Sequence, residues 1–270
     1  MGSGLFPDPF FVYMSLLHCS KNFLILLKSE PLILTSFTSL NATIMKPLFL
    51  SLIYITVMSL SSEAQDNKGW IKLSGDNTLA GWHLFKKSGT TSAWTSVDGV
   101  ISLDATKKEG RGDLVTDETF GDFELKFDWK VAKGSNSGVI FLVQESDAHQ
   151  ATWHTGPEFQ VIDNTGYPDK LEAKQMAASL YDLIGCPVEY IKPTGEWNTT
   201  VIKLEKGKLD FMVNGKNAVN TTLWNAAWDN LVAGSKFGAL KNFAKTSTGK
   251  IALQDHGGGA SYRNIMIKKL

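Results

Sequence analysis

The sequence predicts an all-β protein, a β-sandwich of antiparallel sheets running from about residue 69 to residue 270. Three observations carry this. Phe123, Leu125, Phe127, Trp129 and Val131 alternate with Glu124, Lys126, Asp128 and Lys130, the period of two that turns one face of a strand to a core and the other to water. Further short apolar runs at 139–143, 159–162, 199–204, 209–213, 250–253 and 265–267 recur at the spacing of a sandwich or barrel. Between such runs stand Asp98-Gly99 and Asn214-Gly215, pairs whose second residue accepts positive φ and suits a tight hairpin. Two stretches, 171–184 and 223–232, read as short helical insertions among the strands. There is no internal repeat.

Composition narrows the function. The 270 residues carry 27 basic and 27 acidic side chains, so there is no net field to gather a polyanion and no basic stripe for nucleic acid. The two cysteines, Cys19 and Cys186, support neither a disulfide framework nor a thiolate zinc site. Cys186 reads as a small core residue. Near the start, Met45-Lys46-Pro47, the apolar run 48–60 and Ser62-Glu63-Ala64-Gln65 have the form of a secretory signal cut after Ala64. Residues 1–44 read as an extension from an upstream start, 45–64 as the signal, and 65–270 as one mature domain. The expectation is a periplasmic or secreted protein without stable membrane insertion, since the apolar run is too short to span a bilayer and no lipidation cysteine follows the cut.

Polar groups gather in four places. Gly134-Ser135-Asn136-Ser137-Gly138 is a small polar turn feeding an apolar strand. In the stretch from Trp153 to Asp163, Phe159 and Val161 share one parity, while Glu158 and Gln160 share the other and point together to one cleft. His154 has their parity, although Gly156-Pro157 intervenes. Asp163 has the opposite parity from Glu158, which disfavours the facing carboxylates of an ordinary glycosidase. Tyr181 and Asp182 interrupt an apolar run, read as a capped helix end. Finally, Gln254 and His256 share a parity before Gly257-Gly258-Gly259, glycines that let backbone approach a ligand closely.

Taken in order, these segments resemble the 3-keto-disaccharide hydrolase domain family, also described as 3-keto-glucoside 1,2-lyase / 3-keto-2-hydroxyglucal hydratase. The resemblance runs through Gly69-Trp70, Leu79-Ala80-Gly81-Trp82, Asp122 to Lys126, Asn136-Ser137-Gly138, Glu158 to Asp163, Leu180-Tyr181-Asp182, Gly195 to Asn198, Val213 to Lys216, Leu253 to Gly257 and Arg263-Asn264-Ile265. One departure is Leu142, where many relatives carry a polar or basic residue.

The resemblance implies a concanavalin A-like jelly roll and cleavage of 3-keto glycosides. A keto group at C3 acidifies the C2 proton, β-elimination expels the aglycone, and hydration of the resulting enone completes a net hydrolysis. It implies Glu158, His154 and His256 as catalytic residues, with Glu158 and His154 as acid and base in either assignment. Asn136, Gln160, Tyr181, Gln254 and Asp255 would contact substrate, and Trp153 would stack on a sugar ring. Charge on the enediolate would be met by a divalent metal ion on Glu158 and His154, or by neutral donors. No organic cofactor is implied. A non-catalytic, lectin-like sandwich is the alternative the same residues allow.

Overall fold

The computed structural model describes residues 69–89 and 91–270. The expectations for the upstream extension and the signal therefore lie outside the described residues. Two antiparallel sheets pack face to face. The larger contains β1 (Trp70–Lys72), β3 (Trp94–Val97), β4 (Val100–Leu103), β6 (Phe123–Val131), β9 (Asn198–Glu205), β10 (Lys208–Val213), β11 (Lys216–Thr222) and β13 (Ala260–Lys269). Its order is β11-β10-β9-β6-β13-β4-β3, with β1 also on β13. The smaller joins β2 (Trp82–Leu84), β5 (Leu114–Thr116), β7 (Asn136–Val143), β8 (Glu158–Ile162) and β12 (Lys250–Leu253) in the order β2-β5-β12-β7-β8. This is the expected all-β jelly-roll sandwich.

Both predicted hairpins form. Asp98 and Gly99 have φ of 49° and 76°, and Asn214 and Gly215 have 49° and 80°, so each pair turns with two successive positive φ values. That is the backbone twist a two-residue hairpin between right-twisted strands needs.

The alternation read in β6 is real, with Phe123, Leu125, Phe127, Trp129 and Val131 buried and the intervening residues half-buried. Opposite them the smaller sheet contributes Val139, Phe141, Phe159 and Val161. Phe159 meets Phe127 at 5.5 Å, Trp129 at 6.1 Å and Phe211 at 5.3 Å between ring centroids, all steeply inclined. Such edge-to-face pairs add ~0.5 to 1.5 kcal/mol each beyond area burial and fix β8 against the larger sheet. Leu142 has φ of 60°, sits where the β7–β12 register shifts, and is wholly buried in the core. A bulge there turns two successive residues, Phe141 and Leu142, inward, so the Leu142 departure has no bearing on ligand contact. Cys186 is buried as expected, and burial pushes its thiol up to about 11.

One insertion is helical and the other is not. α1 (Ala226–Ala233) is capped by the Asn225 side chain, which accepts from the Trp228 N–H at 2.8 Å. The stretch 171–184 instead makes one 3-10 turn, Ala173–Gln175, and then runs beside β8. Gln160 N–H donates to Ser179 O at 3.1 Å, Ala178 N–H to Gln160 O at 2.8 Å and Tyr181 N–H to Glu158 O at 2.9 Å. Ala178 and Asp182 take left-handed backbone at φ of 63° and 59°, incompatible with a continuous helix. Among the described residues, no helix is long and apolar enough to cross a membrane.

Candidate functional site

The outer face of the smaller sheet, opposite the core, carries the pocket. Asn136 from β7, Glu158 and Gln160 from β8 and Gln254 just beyond β12 form its floor. Trp153, Tyr181, Lys236 and His256 complete a lining around about 180 Å³. That lies below the ~300 to 1,000 Å³ of drug-sized sites and suits one small polar unit. Larger cavities of about 510 Å³ and 520 Å³ lie elsewhere, but neither brings a carboxylate, an imidazole and an ammonium together.

The parity argument places Glu158 and Gln160 correctly. Space for Glu158 comes from the neighbouring strand, because a Cβ at Gly138 would meet the Glu158 carboxylate. The Asn-Ser-Gly segment thus has three uses. Asn136 reaches the pocket, the Ser137 hydroxyl turns inward to Gln254 O at 2.6 Å and Tyr262 Oη at 2.7 Å, and Gly138 clears room for the carboxyl.

Glu158 is buried, and desolvation pushes its carboxyl up to about 8 against the opposing charge of Lys236, with Asp113 adding to the rise and Gln254 opposing it. At neutral pH it is therefore mostly a neutral acid. Burial also raises the Tyr181 phenol to about 12, with Glu158 and Asp182 contributing, so it stays protonated. The Gln160 amide is tied to its surroundings, donating to Gln175 O at 3.3 Å and accepting from Val161 N–H at 3.1 Å. In contrast, the buried Asn136 Oδ1 and Gln254 Oε1 have no hydrogen-bond partner. Two unpartnered acceptors beside a pocket call for donors from whatever enters it.

Three expectations are corrected. His154 ends the 3-10 turn Thr152–His154 and packs edge-to-face on Trp153 at 4.4 Å, and it is not among the lining residues. The turn before Gly156-Pro157 breaks the extended path on which its parity was counted. Asp255 also faces away. Its carboxylate pairs with Arg111 and accepts from Gly112 N–H at 2.9 Å and Gly257 N–H at 3.1 Å, anchoring the loop that carries His256. The glycines after His256 serve that loop: Gly257 has φ of 93°, and Gly258 lies so close to Ser135 that a Cβ would collide with it.

The residues do not fit the expected metal ion. Among the described residues no three His, Cys, Asp or Glu side chains form a ligand group, and the pocket's one carboxyl faces an ammonium.

Sequence reasoning missed that ammonium, Lys236. It opens the 3-10 turn Lys236–Ala239 and lies over the rings of Tyr181 at 4.1 Å, Phe237 at 5.1 Å and Trp153 at 5.4 Å. Its main-chain N–H donates to Asp182 Oδ2 at 2.8 Å, tying the two pocket walls together. A lone lysine after a short helix carries no local signal.

Fold and pocket define the class: a two-sheet β-sandwich with a small acid-bearing pocket on the outer face of one sheet. Within that class the chain belongs to the 3-keto-alpha-glucoside-1,2-lyase-like domain family, whose pattern matches residues 69–268. It is 34% identical to the 3-keto-disaccharide hydrolase of Bacteroides thetaiotaomicron, over 76% of this chain and 80% of that protein. A crystal structure from Parabacteroides distasonis, assigned provisionally as a glycosyl hydrolase, superposes with a TM-score of 0.71 at 28% identity, over 78% of this chain and 98% of that one. A second from the same organism, at 24% identity and TM-score 0.60 over 74% and 99%, shares the fold.

Proposed function

We propose that the protein is a carbohydrate-active enzyme that cleaves 3-keto glycosides by elimination at C1–C2 followed by hydration. The observation that carries this reading is a buried Glu158 carboxyl, its proton held up to about 8 by burial, in one pocket with the His256 imidazole and with no second carboxylate among the lining residues. An ordinary glycosidase needs two carboxyl groups ~5 to 9.5 Å apart, and the pocket lining supplies one. Elimination beside a ketone needs one base and one acid instead.

In this mechanism His256, exposed at the mouth, takes the proton from C2. The C2–H electron pair forms the C2=C3 bond as the C3 carbonyl becomes an enolate oxygen. When the carbonyl re-forms, C1=C2 is made and the C1–O bond to the aglycone breaks. Glu158 donates its proton to the departing oxygen. Water then adds across C1=C2 of the 3-keto-2-hydroxyglucal and releases the free 3-keto sugar. The unpartnered Asn136 and Gln254 oxygens accept from sugar hydroxyls, and Trp153 supplies a ring face.

The test is to incubate the purified protein with a 3-keto glucoside and, separately, with its parent glucoside, following enone absorbance and free sugar. Cleavage of the first alone is expected. Binding of both with cleavage of neither would leave a lectin-like sandwich and overturn the enzymatic reading.

A further inference from the structure

We propose that Lys236 is a catalytic residue of this pocket, its ammonium receiving the C3 oxygen as negative charge builds there. The inference rests on the elimination reading and adds the group that would stabilise its intermediate.

Lys236 is the one lysine or arginine among the lining residues. It sits beside Glu158, yet among the described residues no carboxylate oxygen lies within salt-bridge distance of its Nζ. Asp182, which holds its main chain, commits its other oxygen to Lys174 at 3.1 Å. The partners of the ammonium are the faces of Tyr181, Phe237 and Trp153. Aromatic quadrupoles hold a cation in place without neutralising it, so its charge remains available to a ligand. Lys236 is exposed at the pocket, so until a ligand enters it shares that charge with water and the ring faces rather than with a carboxylate.

The rest of the lining gives the complement. Asn136 Oδ1 and Gln254 Oε1 require donors from the ligand, and Lys236 requires an acceptor carrying negative charge. A neutral glucoside satisfies only the first demand. An enediolate satisfies both, with hydroxyls for the amide oxygens and an oxyanion for the ammonium. In the step assigned to Lys236 the C2–H bond breaks, the proton leaves to His256, and the electron pair moves through C2=C3 onto the C3 oxygen facing Nζ. A cation already in place costs no reorganisation at that moment, and one such donor is worth ~100- to 1,000-fold in rate.

The experiment separates proton abstraction from bond cleavage. A 3-keto 1,5-anhydrohexitol lacks a leaving group, so in D2O the enzyme can only exchange its C2 proton, read by NMR. Wild-type protein is expected to exchange it. Lys236→Met is expected to exchange it ~100-fold more slowly, with affinity for the unreactive parent glucoside within a few fold, and Lys236→Arg to recover part of the rate. Full exchange by Lys236→Met, or a slow rate explained by equal loss of glucoside affinity, would overturn the role of Lys236 alone. A wild-type protein that neither exchanges the proton nor cleaves a 3-keto glucoside would overturn the elimination reading and this role together.

Discussion

The carboxyl of Glu158 lies over Gly138, in the space that a side chain on the neighbouring strand would fill. Gly138 is paired with Gln160 and Ile140 with Glu158, so the carboxyl leans diagonally across β7. Gly138→Ala is expected to fold, because the outer face can shed a displaced side chain toward the pocket, and to lose most activity as Glu158 is pushed aside. Circular dichroism with turnover of a 3-keto glucoside checks both halves. Normal turnover would show that the position of Glu158 is unimportant.

Glu158→Gln preserves shape but cannot give up a proton. Turnover of a 3-keto glucoside with a poor, alkoxide leaving group is expected to fall ~100-fold or more. A nitrophenyl aglycone, which leaves without protonation, should be impaired far less. Equal losses on the two substrates would reassign Glu158 from acid to base.

The acid form of Glu158 is the working one, so kcat/KM is expected to decline as pH rises through about 8, tenfold per unit beyond it. In Glu158→Gln that alkaline limb should vanish. A limb that persists unchanged in the variant belongs to another group.

The same burial has a stability consequence. Folded Glu158 holds its proton up to about 8, whereas an unfolded glutamate releases it near 4.5. Its contribution is fully present below pH 4.5 and is lost as pH rises toward 8, at up to about 1.4 kcal/mol per pH unit. Glu158→Gln should therefore melt like wild type at pH 4 and above it at pH 8.5. Differential scanning calorimetry at the two pH values decides this.

Asp163 makes the opposite case. Burial alone would raise its carboxyl, but the N–H groups of Gly134, Gly166 and Thr165 and the hydroxyl of Thr194 hold it well below the usual carboxylate range. Three of these bonds measure 2.8 Å from Gly134, 3.1 Å from Thr165 and 2.6 Å from Thr194. Asp163→Ala should cost about 1 kcal/mol at pH 7 by removing the one acceptor these part-buried donors share, and less as the pH falls below 4. A denaturation midpoint unchanged at pH 7 would contradict this.

Much of this architecture is legible in the sequence, and the rest is not for physical reasons. β6 is long enough for its alternation to stand out, and parity alone puts Glu158 and Gln160 on one face. β1, β2 and β5 have three residues each, too few to display a period. In 171–184, Leu180, Leu183 and Ile184 fall at helical spacing, yet Leu180 is buried because the segment lies along β8, with Ala178 and Asp182 breaking any helix. His154 was misplaced because parity does not survive a 3-10 turn. Lys236 joins the pocket of Glu158 only through the tertiary fold, held by Asp182 on a segment distant in the chain.

That segment has a role beyond supplying Tyr181. β8 is the last strand of its sheet, and without a neighbour its outward main-chain groups would be a template for pairing with another chain. The bonds from Ala178, Tyr181 and Gln160 occupy those groups. The wall of the pocket is therefore also what keeps the sheet from growing: a change that loosens 176–182 threatens solubility together with activity, and the two losses cannot be selected separately.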